Sequence, residues 1–284
     1  MNALREAPAI LRRVCQNFSG AVGFVIVILV VAAAVFAPWV ATHDPDQLDI
    51  MNRFAPPSRA HWLGADHLGR DLYSRVVYGA SIAMTVALSA IALALSAGTM
   101  LGVLAAYLPP RSERFVLIAF EVILSFPSLV LALAIVAVFG PSASIVVVIV
   151  AITLTPHFGQ VARAQTLTLR SAPFLEAERI LGASGSRVVV HHILPNIIGP
   201  LIVLASMDIP VVITIEAGLS FLGLGVRPPL ASWGVLIQDG YQYLSDSWTP
   251  VVVSSLVLAI ATLGFTLFGE SLRDAVDPRI GRGR

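Results

Sequence analysis

Lysine is missing from this chain, and all eighteen of its basic residues are arginine. A phosphate-binding loop of the form GxxxxGK[ST] therefore cannot exist in it, and any nucleotide that drives its work must sit on another protein. Cysteine is almost missing as well: the single Cys15 cannot close an internal disulfide. Charged residues make up only 12% of the chain, and the formal net charge of +1 argues against a nucleic-acid partner. What is present is apolar. Hydrophobic residues account for 57% of the sequence and its mean hydropathy is +0.85, far from the averages of a soluble domain. The composition predicts an all-α polytopic membrane protein.

A helix rising about 1.5 Å per residue needs about 20 residues to cross a hydrocarbon core about 30 Å thick. Six apolar runs meet that length. The first is Gly20 to Val40, and the second lies within Val76 to Pro110, a stretch long enough that part of it is expected at the interface. Between Val122 and Ala162 there is no Asp, Glu or Arg, and Gly140-Pro141-Ser142 divides this stretch into a third and a fourth run. The fifth runs from Ile197 to Leu224 and the sixth from Trp248 to Gly269. Pro127 and Pro156 are expected to kink the third and fourth.

The resulting organisation is a tail at 1–19, a first helix at 20–40, an external loop at 41–75, a five-helix core at 76–270 containing a polar loop at 163–195, and a tail at 271–284. A cytoplasmic N-terminus leaves only Arg53, Arg59, Arg70, Arg75 and Arg227 outside, with the other thirteen arginines inside, as the positive-inside rule favours. Both termini are then cytoplasmic. The first run exceeds a usual signal-peptide core, so it reads as an uncleaved helix.

The polar loop is the most informative text. Ser171 and Pro173 are helix-start residues, Ala177, Ile180 and Leu181 fall on one face, and Gly182 and Gly185 supply a stop before a second short segment that Pro195 is expected to end. This reads as an amphipathic docking element outside the bilayer. In the fifth run, Asp208 and Glu216 stand about 80° apart around a helix, given 100° per residue. Intramembrane acids of this kind line a translocation path or make a buried hydrogen bond. Ala90, Ala94, Gly98, Gly102 and Ala106 form a ridge of small residues suited to close helix packing, either within the subunit or against another permease.

Other constellations carry little chemistry. Asp44, Asp46 and Asp49 lack the spacing, Gly and terminal Glu of an EF-hand. The adjacent His191 and His192 point about 100° apart on a helix and cannot chelate one ion together. Gly182-Ala183-Ser184-Gly185 resembles the GxSG text of rhomboid-type intramembrane proteases, but Ser184 sits in an Arg-rich loop and the sixth run has no His to act as base. In the external loop, Asp66 and Arg70 are spaced to pair across a helical turn, and Trp62 and Tyr73 suit a membrane interface. No metal site and no catalytic residue is assigned.

Across nearly its whole length the chain resembles the C-type permease subunit of the peptide/nickel branch of binding-protein-dependent ABC importers. The likeness rests on HWLGADHLGRDLYSRVVYGA from His61, FPSLVLALAIVAVFG from Phe126, EAERILGASGSRVVVHHILP from Glu176, EAGLSFLGLGVRPPLASWG from Glu216 and LRDAVDPR from Leu272, in that order. The resemblance implies a six-helix importer permease in the bacterial inner membrane, with Glu176, Ala177, Gly182, Leu194 and Pro195 in its ATPase-coupling loop. It also implies partners: membrane lipid around the helices, a homologous second permease, two cytoplasmic ATPases that hold the ATP and Mg, and an external substrate-binding protein. The chain itself would then be no enzyme and need no cofactor. Substrates in this branch are dipeptides, oligopeptides, glutathione or nickel. Glu178 and His192 depart from the family's loop motif, and the extra carboxylate predicts a basic residue opposite it on the ATPase. The competing reading is a self-contained secondary transporter using Asp208 and Glu216, which lacks an evident inverted repeat and gives the polar loop no role.

Overall fold

The structure is a computed structural model and describes residues 3–276. It is helical apart from an isolated bridge between Ala65 and Asp71. The chain opens with α1 (Ala3–Gln16), α2 (Phe18–Val35) and the single turn α3 (Ala37–Val40). A long loop leads to α4 (Leu72–Tyr107), followed by α5 (Pro110–Ser125), α6 (Ser128–Phe139) and α7 (Ala143–Arg170). The polar loop holds α8 (Pro173–Ile180) and α9 (Gly185–Val188), which passes through a π turn at Val189–Ile193 into α10 (Leu194–Phe221). The amphipathic α11 (Trp233–Gln242) and the long α12 (Thr249–Val276) complete the chain.

Among the described residues, five helical runs are long and apolar enough to span a membrane: α2, α4, α7, α9 with α10, and α12. A sixth is obtained when α5 and α6 are taken as one span, bent by 91° at Phe126–Pro127. The kink expected at Pro127 is thus nearly a right angle, whereas Pro156 sits inside an unbroken α7. The second run is one continuous helix, α4, of 36 residues, longer than a single crossing needs. The N-terminal tail is helical as α1, while residues 277–284 of the expected C-terminal tail lie outside the described residues.

Packing is centred on α4 against α7. Ala90, Ala94, Gly98, Gly102 and Ala106 are all buried. The ridge faces within the subunit: a Cβ on Gly98 would lie 2.6 Å from Thr155 O, and one on Gly102 would lie 2.2 Å from Gly159 O. Glycine is required here because two backbones touch. At the far end of the same pair, Arg170 bonds Ala106 O and lies 4.7 Å over the Tyr107 ring, and Arg163 Nε donates to Glu113 Oε1 of α5 at 2.8 Å. The opposite face of α4 is open, with Met100 67% exposed.

The loop before α4 has a polar core. Asp66 Oδ2 accepts from Arg70 Nε at 2.7 Å and lies 3.5 Å from Arg75 Nε, and Asp66 Oδ1 accepts the Leu68 and Arg70 backbone N–H groups. The Asp66–Arg70 pair forms as expected, but across a turn rather than a helix. Arg70 also reaches Asp239 of α11 at 3.4 Å. Burial raises the Asp239 carboxyl, opposed by the charges of His67, Arg70 and Arg75. Trp62 packs against Tyr73 with the rings tilted by 50° and their centroids 4.9 Å apart.

Gly102→Val forces α4 and α7 apart and is expected to cost about 1–3 kcal/mol or more, the range for overpacking. Met100→Val, on the open face, is expected to change little. Thermal unfolding of the two purified variants in one detergent checks the contrast.

Candidate functional site

The polar loop is a helix–stop–helix element strung between two spanning helices. Its helix-start reading holds, with α8 beginning at Pro173. The stop is Gly182, whose φ of +86° is a left-handed conformation that favours glycine. The Ala183 N–H turns back to the Glu178 carbonyl at 3.0 Å and closes the end of α8. Ser184 then caps α9, accepting from Arg187 N at 3.4 Å. Contrary to the expectation from the sequence, Pro195 does not end the second segment. It occupies the first turn of α10, where its missing N–H is tolerated, directly after a π turn. The Asn196 side chain donates to the His192 carbonyl in that disturbed stretch. The loop is therefore continuous with α10, and a push on α9 is a push on the end of a spanning helix.

The element has an inner and an outer face. Leu175, Val188 and Ile193 are buried against the bundle, while Glu176 and Pro195 are exposed and Leu194 is half-buried. Leu181 is 83% exposed and Phe174 48% exposed, an apolar surface that the chain itself leaves uncovered. Ala177 lies in α8, but its side chain is outside the described ones. Nothing lies within 4 Å of a Cβ built on Gly182, so the demand for glycine there is conformational. Glu178 and His192, the two departures from the family motif, meet each other: His192 Nε2 is 3.7 Å from Glu178 Oε1. The extra carboxylate thus has an imidazole neighbour within its own loop.

Asp208 and Glu216 are both buried in α10 and have different partners. Asp208 Oδ2 lies 3.1 Å from His157 Nδ1 of α7, whose side chain is 45% exposed. Glu216 accepts from Ser220 Oγ one turn on at 2.7 Å. Ser220 Oγ in turn accepts from Val226 N at 3.0 Å, tying the carboxylate to the chain's exit from α10. His157 is the residue that the sequence reading missed. A lone His between Pro156 and Phe158 was its only signal, and its meaning depends on α7 lying beside α10.

These features define a multi-span helical membrane protein with a polar helix–stop–helix loop between two of its spans. The chain belongs to the family described as binding-protein-dependent transport system inner membrane components, which its residues 98–282 match, and residues 9–57 match the N-terminal TM domain of oligopeptide transport permease C. It is 38% identical to the probable D,D-dipeptide transport system permease protein DdpC of Escherichia coli K12, over 90% of this chain and 86% of that one. It is 36% identical to the di/tripeptide transport system permease protein DppC of Pseudomonas aeruginosa, over 99% of each chain. The inward-facing MetNI methionine ABC transporter shares the fold, with a TM-score of 0.57 at 17% identity, over 72% of this chain and 97% of that chain. The protein is thus a membrane permease subunit of a peptide-type ABC importer, and it is not itself an ATPase.

Asp208→Leu strands the His157 ring without its carboxylate partner, whereas Asp208→Asn retains a hydrogen-bonding group there. The Leu variant is expected to lower the yield of assembled subunit, and the Asn variant to preserve it. Size-exclusion yield of the two variants, expressed side by side, reads the difference.

Proposed function

We propose that this subunit imports short peptides by alternating access, driven by ATPases that grip the loop 163–195 from the cytoplasm. The observation that carries this reading is the exposed apolar surface of Phe174 and Leu181 on an element fused to both α7 and α10. In this reading Glu176, Ala177, Gly182, Leu194 and Pro195 shape the ATPase contact. ATP binding closes the ATPases, and the loop moves the two helices with it. A partner shifts such an equilibrium only by the difference of its contacts in the two states, so docking must differ between them.

The substrate class rests on relatives named for D,D-dipeptides, di- and tripeptides, and glutathione. Short peptides are common to all three. Within that reading Asp208 and Glu216 are path candidates, with Asp208 acting beside the half-exposed His157. The remaining partners are a homologous permease and an external binding protein. The secondary-transporter reading is set aside by family membership.

Gly182→Val places a β-branched residue at a left-handed position and strains it by roughly 1–3 kcal/mol. Proteoliposomes holding the assembled importer are expected to hydrolyse ATP with little peptide uptake; unchanged uptake would remove the loop from the coupling mechanism. Orientation has its own test, in a Cys15→Ser background. Cysteines replacing Ser112 or Ser186 are expected to resist an impermeant thiol reagent added outside whole cells, and those replacing Ser58 or Ser245 to react.

A further inference from the structure

The loop joining α3 to α4 has little regular structure beyond the short 3₁₀ turn Ile50–Asn52, so its path depends on side-chain contacts. Three residues with metal-binding donor atoms converge in it. His43 lies just past α3, His61 in mid-loop and Asp71 at the cap of α4. One donor atom from each lies within 4.8 Å of the other two. His61 Nδ1 is 2.9 Å from Asp71 Oδ1, and His43 Nδ1 is 3.8 Å from Asp71 Oδ2. The two imidazole centroids are 4.9 Å apart. Ligands held about 2.0–2.1 Å from a tetrahedral ion stand roughly 3.4 Å from one another, so these separations bracket what an ion needs.

Helix capping accounts for only part of the arrangement. Asp71 Oδ2 accepts from Ser74 N at 2.8 Å and Ser74 Oγ at 2.7 Å, which is the cap, and His61 occupies the other oxygen. The His43 backbone N–H donates to Ser74 Oγ at 3.0 Å, which seats this residue at the cap, and its Nδ1 lies 3.0 Å from Thr42 Oγ1; the cap uses no imidazole from His43, yet the ring stands beside that of His61. A cavity of about 230 Å³ opens at the three residues, and its wall adds Asp44, Asp49 and Gln47 but no arginine. The field is therefore acidic, and oxygen donors are at hand to complete a coordination shell.

We propose that His43, His61 and Asp71 form a site for a divalent metal ion of the zinc class, which ties the end of α3 to the start of α4. Two imidazoles and one carboxylate suit zinc and its transition-metal neighbours, whereas calcium and magnesium take oxygen ligands. The sequence assigned no metal because positions 43, 61 and 71 match no short His spacing. The ion is structural and takes no part in the transport cycle's chemistry. It joins a residue of the N-terminal segment matched at 9–57 to two residues beyond it.

The test is zinc binding alone, measured by equilibrium dialysis on the purified, chelator-stripped full chain. The wild type is expected to take up one equivalent. His43→Ala and His61→Ala are each expected to weaken binding by at least the roughly 10–100-fold that losing an outer-shell partner costs. A His191→Ala/His192→Ala double variant is expected to bind like the wild type, excluding the adjacent pair as the site. Zinc should also raise the Tm of the wild type but not that of His43→Ala. His43→Ala leaves the Asp71 cap and its His61 contact in place, so this variant decides the matter even if His61→Ala folds poorly. Absence of stoichiometric zinc binding by the wild type, or undiminished binding by His43→Ala, would overturn the proposal.

Discussion

The near-contact of two backbones, α4 and α7 at Gly98, Gly102 and Gly159, is the constraint on which the rest of the architecture depends. Lipid gives apolar helices no hydrophobic reason to associate, so close packing and interhelical hydrogen bonds must hold them. Small residues along one stripe of α4 permit that packing. The position of α7 then determines two further things: where its end delivers the polar loop, and whether His157 can reach Asp208 on α10. Both parts of the candidate machinery thus hang from one helix whose seat is set by residues without side chains.

The two ends of this pair are finished differently. At the loop end, Arg170 closes onto Ala106 and Tyr107, and Arg163 onto Glu113, so α4, α5 and α7 end as one polar-clamped unit. At the other end, buried charges sit beside the apolar core formed by Leu72, Trp233 and Leu236. Arg75 is fully buried beside Asp66, and Arg70 joins Asp66 to Asp239 of α11. Breaking one partner of a buried charged group is costly because the survivor is left unpaired. This charge-linked end lies opposite a loop that exposes Phe174 and Leu181.

Much of this was legible in the sequence because hydropathy reports burial in lipid directly. The spanning runs, the break at Gly140-Pro141-Ser142, the start of α8 at Pro173 and the stop at Gly182 follow from run length and backbone preference. What escaped depends on neighbours. Pro127 signals a break, but its 91° angle is set by what α5 and α6 pack against. Pro195 reads as a terminator, yet a π turn lets the chain pass through it into α10. The approach of Glu178 to His192 depends on how the loop folds back on itself. His157 and the trio of His43, His61 and Asp71 carry no local pattern, since their partners are brought to them by tertiary contacts alone.

The central claim is that ATPases grip the segment from α8 through the π turn. Hydrogen–deuterium exchange on the subunit, with and without its ATPase partners, tests this most directly. The account predicts that added protection on ATPase binding concentrates in residues 173–193. Protection confined to other segments, with 173–193 exchanging as in the free subunit, would contradict it.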